Sequence, residues 1–186
     1  MPALAPPDPP IAGEHVLLRG WRDSDAPDIA RMFQDDEALR WTRAPKPYRD
    51  RDAIEWLMTL PNQMRRGDAL PLAITDPANG ELIGSIDLRF RGERRGEFGY
   101  VVGAWARGRG VGSSALRLYS AWAFEHLDVA RLEVLVQPDN EASLAMAHRA
   151  GYSREGLLRS YSVVRGERKD MVMMSLLPAD LEDRGG

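Results

Sequence analysis

The 186-residue chain contains no cysteine, which excludes disulfides, thiolate metal sites and a cysteine nucleophile. Histidine is scarce too. His15, His126 and His148 are too far apart for a zinc-like spacing, so no metal site is expected. Of 25 cationic residues only Lys46 and Lys169 are lysines. Carboxylates outnumber the cations and leave a formal net charge of -3, which disfavours a nucleic-acid partner. No apolar run approaches the roughly 18 residues of a membrane span, so no membrane partner is expected. The first residues lack the basic-then-apolar pattern of a secretion signal, and the expected location is cytoplasmic. What is present, 44% hydrophobic and 28% charged residues, suits one globular domain with a sizeable core.

Residues 1–12 (MPALAPPDPPIA) hold five prolines in the first ten positions, so they read as a disordered or extended tail. Residues 179–186 read as a second tail, leaving one domain over 13–178. Within it strands and helices alternate. Val16–Arg19 suggests a strand, and Ser24-Asp25 can cap a helix carrying Ile29, Met32 and Phe33. The segment from Asp50 to Arg66 sets Ile54, Leu57 and Met58 on one helical face, with Pro61 expected to kink or split it. Leu70–Thr75 is a short apolar strand. Leu82, Gly84, Ile86, Leu88 and Phe90 alternate with Ile83, Ser85, Asp87 and Arg89 as a second. Phe98–Val102 is a third. A helix opened by the glycine-rich segment Ala106–Gly112 presents Val111, Ala115, Leu118 and Trp122. Residues 131–137 alternate again, Asn140–Ala150 is a short helix closed by Gly151, and two strands near Tyr152–Val164 and Arg168–Leu176 flank a turn at Arg165-Gly166. This order predicts an α+β architecture with a largely antiparallel sheet.

The most informative segment joins the Phe98–Val102 strand to the next helix. Gly108, Gly110 and Gly112 alternate with Arg107, Arg109 and Val111, and Ser113 follows. Glycine lets backbone N–H groups curl inward and lets a ligand approach closely. The helix start adds unpaired donors and a positive dipole end, and the arginines can add charge-assisted bonds. A pyrophosphate fits such a site; a plain glycine-rich turn with exposed arginines is the alternative. No lysine follows the last glycine, which rules out a P-loop, and G-x-G-x-G is not the dinucleotide fingerprint.

The spacing Arg107-x-x-Gly110-x-Gly112 resembles the Q/R-x-x-G-x-G/A motif of the GCN5-related N-acetyltransferases, the GNAT superfamily. Gln137-Pro138-Asp139-Asn140-Glu141-Ala142-Ser143, followed by Ala150-Gly151-Tyr152, is similar to a stretch of the RimJ/RimL-type branch, as are the segments around Arg19–Ala26 and Gly166–Asp170. The resemblance covers roughly residues 14–177. It implies the GNAT fold: a mixed, mostly antiparallel sheet of about seven strands flanked by about four helices.

The resemblance also implies an activity, the transfer of an acetyl group from acetyl-CoA to a primary amine by direct attack on the thioester. The amine would be a protein N-terminus or a small molecule, and a homodimer is compatible. Backbone groups of Val101 and Val102 would pair with the pantetheine arm. Arg107, Gly108, Arg109, Gly110, Val111, Gly112 and Ser113 would cradle the pyrophosphate. Asn140 would bond the cofactor arm, and Ser143 would meet the sulfur and could donate a proton. Ala147 lies near that face and is small enough to admit a thin cofactor tail. Each has a bland alternative: core packing for the two valines, helix capping for Asn140 and Ser143. Glu97, at the start of the strand, is the candidate base; a solvated strand end is its alternative. Tyr100, Tyr152 and Asp87 are further polar candidates, whereas His148 is expected on the outer side of its helix. Arg89, Arg91, Arg94 and Arg95 form a hairpin tip that is either solvated or attracts an anion. Another acyl-CoA donor such as succinyl-CoA, or a CoA-binding module without turnover, fits the same loop.

Overall fold

The computed structural model describes residues 4–182. Eight strands form one sheet in the order β1-β2-β3-β4-β5-β6-β8-β7. They are β1 (Ile11–Ala12), β2 (Leu17–Arg19), β3 (Ala69–Thr75), β4 (Leu82–Phe90), β5 (Arg95–Val102), β6 (Arg131–Val136), β7 (Ser153–Val164) and β8 (Glu167–Leu176). All neighbours are antiparallel except β5 and β6. Six helices complete the described residues: α1 (Ala26–Met32), α2 (Asp36–Trp41), α3 (Asp50–Arg66), α4 (Val111–His126), α5 (Glu141–Arg149) and α6 (Pro178–Glu182).

The eighth strand comes from the proline-rich start. Residues 4–12 are not a free tail. Leu4 N–H donates to Met64 O at 3.0 Å, and Ile11 and Ala12 pair with Leu18 and Leu17. Leu4 and Ile11 pack on the main core, so the few apolar residues among the prolines hold the segment down. Proline is tolerated because this is the edge of the sheet. Residues 1–3 and 183–186 of the expected tails lie outside the described residues; Pro178–Glu182 is a short helix.

One face of the sheet packs on α4 and α5, the other on α1, α2 and α3. On the first face Val111, Ala115, Leu116, Tyr119 and Ala123 of α4 are buried with Leu72, Ile86, Phe98 and Val134. Leu118 and Trp122, expected at the centre of that stripe, flank it. On the second face Ala53, Leu57 and Leu60 of α3 meet Ile29, Met32 and Leu39. Here the expected face is rotated: Ile54 is 50% exposed and Met58 72% exposed, while Ala53, fully buried, lets α3 approach the sheet closely. Pro61 neither splits nor ends α3; it lies on the exposed side, and buried Leu57 and Leu60 anchor the preceding turn.

The alternation of β4 also breaks once. A bulge opposite Ile74 and Thr75 moves Ile83 onto the α4 face with Ile86 and Leu88, and leaves Leu82 on the α3 face. Asp25 gives α1 no side-chain cap. Its carboxylate instead takes two bonds of 2.8 Å from the Arg19 guanidinium and one of 2.8 Å from the Arg22 N–H. Both side chains of the pair are nearly inaccessible.

Candidate active site

The β5–α4 connection runs through a short 3-10 turn (Ala104–Ala106) that is anchored by fully buried Ala106. Gly108 and Gly110 follow, at φ of 74° and 76°, the left-handed region that favours glycine. A Cβ placed on either would meet nothing within 4 Å, so the space beside them is open. Gly110 is the N-cap of α4 and offers no side chain to the first turn. The Ser113 hydroxyl turns back and donates to Gly110 O at 3.0 Å rather than capping. The orphan N–H groups at the start of α4 are therefore left without a side-chain cap, at the positive end of a 16-residue helix. Gly112 has a different role. A Cβ there would lie 2.2 Å from the Met146 sulfur, so its absence lets α4 and α5 approach.

Beside this loop β5 and β6 part company. They pair only from Arg95 to Phe98 on β5, opposite Arg131 to Val134. Beyond Phe98, β5 continues against β4 alone, up to Val102 opposite Gly84. Gly103 N–H donates to Ile83 O at 2.9 Å, which fixes the alternation of the antiparallel ladder. The N–H and C=O of Tyr100 and Val102 then point to the side that β6 has left, whereas those of Val101 point to β4. Of the two residues expected to pair through their backbone, Val102 offers its groups to the open side and Val101 does not; Tyr100 offers its own there too.

The Tyr100 ring lies on the α5 side of β5. Its hydroxyl is 2.7 Å from Ser143 Oγ on α5. Burial pushes the Tyr100 phenol up to about 12, against the opposing pull of the Ser143 bond. Asn140 is the N-cap of α5: its Oδ1 accepts the Ser143 N–H at 3.1 Å. Capping thus uses the Ser143 backbone and leaves its hydroxyl for Tyr100. Ala147 is fully buried in the core and does not line the opening.

Glu97 is not brought to Ser143. Three residues before Tyr100, it projects from the opposite face of β5, about 10 Å away along the strand. There it accepts two bonds of 3.0 Å from Arg91, and Arg89 stands 3.9 Å away. Asp87 shares that face, opposite Gly99, with Arg89 at 2.6 Å. Burial raises its carboxyl and Glu97 adds to the effect, while Arg89 and Arg91 oppose them. The rest of the arginine tip is paired as well, Arg94 with Asp128 at 2.6 Å and Arg95 with Glu133 at 3.7 Å. Tyr152 is buried and bonded to Ser120 at 2.8 Å, and His148 is exposed. Among the described residues no cluster of potential metal ligands occurs.

The two loop arginines turn toward the protein. Arg107 donates through Nε to Val102 O at 3.2 Å and pairs with Asp35, the residue that caps α2 through Ala38 N–H at 3.0 Å. Burial opposes ionisation of Asp35, but Arg107 and the backbone donors of Ala38 and Glu37 outweigh it and lower the carboxyl. Arg109 reaches Asp76 in the β3–β4 turn at 3.3 Å. Neither α2 nor Asp35 was anticipated from the sequence, although Asp35-Asp36-Glu37 before Ala38-Leu39 is a helix-start pattern.

On the far side of the Gln137–Asp139 turn lies a groove of about 580 Å³. Asp36, Arg40 and Trp41 of α2 form one wall; Arg165 and Lys169 of the β7–β8 hairpin form the other. Its charges are mixed and mutually paired: Lys46 with Asp36 at 2.7 Å, Arg40 with Asp139 at 3.3 Å and Lys169 with Glu167 at 2.6 Å.

A sheet opened between two parallel strands, with a glycine-rich loop at its mouth, is the arrangement that family membership has to explain. The family model for the acetyltransferase (GNAT) domain matches residues 15–153, and the chain belongs to that family. It is 28% identical over 170 residues to the "uncharacterized N-acetyltransferase p20" of Bacillus licheniformis, covering 88% of this chain and 93% of the relative. It is 26% identical over 121 residues to the [ribosomal protein uS5]-alanine N-acetyltransferase of Escherichia coli, covering 62% of this chain and 61% of that one. Among solved structures, RimJ of Mycobacterium smegmatis in complex with CoA-disulfide superposes with a TM-score of 0.80 at 26% identity, over 89% of this chain and 83% of that one.

Proposed function

We propose that the protein transfers the acetyl group of acetyl-CoA to a primary amine, with the α-amino group of a protein as the acceptor form. The observation that carries this reading is the open space beside Gly108 and Gly110 at an uncapped helix start, leading into the β5–β6 opening where Tyr100 meets Ser143. The first-turn N–H groups of α4, from Val111 to Ser113, suit a diphosphate. The Tyr100 and Val102 backbone groups on the side that β6 has left suit an amide-bearing arm, which would add to β5 as an extra strand. An arm threaded that way ends near the two hydroxyls. The names of the relatives support an amine acceptor, and the uS5-alanine enzyme supports a protein terminus.

When bound, acetyl-CoA supplies an activated acyl carbon and a thiol leaving group. The amine nitrogen bonds to that carbon, the carbon–sulfur bond breaks, and the sulfur leaves with a proton. Ser143 donates that proton or a hydrogen bond, backed by Tyr100, whose raised phenol stays neutral at working pH. An α-amino group has a pKa near 8, so a fraction is already neutral at pH 7 and a weak base suffices. Glu97 of β5 and Asp87 of β4, which share the face of the sheet away from Ser143, are the candidates to receive the proton of an amine entering from that face and to attract its ammonium form. Asn140 keeps α5, and with it Ser143, in register.

Thiol release from acetyl-CoA, measured over a panel of peptides with free N-termini and small amines, tests the proposal. Amine-dependent release is expected, fastest with peptides. Acetyl-CoA binding without turnover on any amine would point to a CoA-binding module, and faster turnover with succinyl-CoA would reassign the donor.

A further inference from the structure

Arg107 occupies one place that the reading above gives to the cofactor and is tied at its other end to α2. Its Nε sits on Val102 O, one of the two carbonyls on the open side of β5, at 3.2 Å. Its guanidinium is paired with Asp35 and stands 3.9 Å from Glu37. Asp35 in turn is the N-cap of α2. That helix has only six residues, too short to be stable by itself, so its outside ties decide its position. The next tie along is Arg165 of the β7–β8 turn, which donates to Leu39 O at 2.8 Å and to Ala44 O at 2.9 Å. Arg40 of α2 reaches Asp139 at 3.3 Å, next to the N-cap of α5. A continuous set of contacts thus runs from the diphosphate loop through one carboxylate into the wall of the groove. Arg109 and Asp76 form a matching pair at 3.3 Å, but Asp76 lies in the β3–β4 turn and has no part in the groove.

We propose that Asp35 is a positioning residue that couples filling of the CoA site to the groove lined by α2. The Asp35 carboxylate takes the Arg107 guanidinium as a phosphate would and holds it against α2. A bound diphosphate competes for the same guanidinium, and the pantetheine arm competes for Val102 O. Arg107 transfers to the ligand, Asp35 keeps only its capping bond, and α2 loosens at the groove wall. The inference rests on the acetyl-CoA reading of the loop.

The substitution Asp35→Asn separates the two roles of the residue, because asparagine caps a helix about as well as aspartate and carries no charge. In calorimetry the variant is expected to bind acetyl-CoA about threefold tighter, the scale of a half-exposed ion pair no longer in competition. Hydrogen exchange reads the coupling. In the unaltered protein acetyl-CoA should accelerate exchange of the α2 amides. In Asp35→Asn they should exchange fast already and ignore the cofactor. Asp76→Asn should tighten binding without changing α2 exchange. Asp35→Ser, a second neutral cap, repeats the test should the asparagine variant fold poorly. An unchanged acetyl-CoA affinity and an intact α2 response in the neutral variants would overturn the inference. Acetyl-CoA binding to the unaltered protein with α2 exchange unmoved would also overturn it while leaving the CoA site standing. No binding at all would remove the proposed function and the coupling together.

Discussion

Ser143 can lose its hydroxyl without disturbing α5, because the Asn140 carbonyl bonds its backbone N–H and not its Oγ. Ser143→Ala therefore isolates the hydroxyl. The leaving thiol is only weakly basic, with a pKa near 8.5, so the donor contributes less than it would for an alkoxide. We expect kcat to fall about ten- to hundredfold, with the acetyl-CoA dissociation constant unchanged within about twofold. Tyr100→Phe should give a similar fall. The direction of the Tyr100 shift fixes the pH dependence: a phenol pushed up to about 12 remains protonated through neutrality. The shape of the kcat profile between about pH 6 and 10 should thus be the same in Tyr100→Phe as in the unaltered enzyme, with only its height reduced. A profile that loses a limb in the variant would mean that Tyr100 titrates in that range and acts as a base.

At the scale of elements, the loop and the helix it opens divide their glycines between ligand and packing. Gly110 has a left-handed backbone with empty space beside it, so Gly110→Ala meets conformational strain of about 1 kcal/mol and no clash. Gly110→Glu adds bulk and negative charge where the diphosphate is to lie. In calorimetry the alanine variant should bind acetyl-CoA several-fold more weakly, and the glutamate variant should not bind; equal affinity in both would remove the loop from the site. The conformation of this loop was legible in the sequence because a left-handed backbone favours glycine at particular positions. So were β6, whose alternate residues Leu132, Val134 and Val136 lie in the main core, and the extent of α3. The core face of α3 was not legible, because Ile54 and Met58 are as apolar as Leu57 and only packing decides between them. Nor was α2, since a six-residue helix shows less than two turns of periodicity. Long-range pairs were out of reach altogether. Tyr100 and Ser143 are 43 residues apart, and Arg107 and Asp35 are 72 apart, so only the folded sheet brings them together.

For the whole molecule, the site depends on one sheet being closed along most of its length and open at one point. The main core joins seven of the eight strands to α4 and α5, and the proline-rich start contributes β1 to its edge. The buried Arg19–Asp25 pair ties β2 to the start of α1 and so holds the second helical layer on the sheet. Removing one partner leaves a buried charge alone, so Asp25→Ala should lower unfolding stability in urea by about 3 kcal/mol; a loss within about 0.5 kcal/mol would show the pair to be solvated. The central claim is that backbone amides at the start of α4 hold a diphosphate beside the β5–β6 opening. Titration of isotopically labelled protein with acetyl-CoA, followed through backbone amide resonances, tests it most directly. The largest saturable shifts are expected on Gly108, Gly110 and Val111–Ser113, with Tyr100 and Val102 following at the same ligand concentration. Saturable binding that leaves those amides in place and moves others would contradict it.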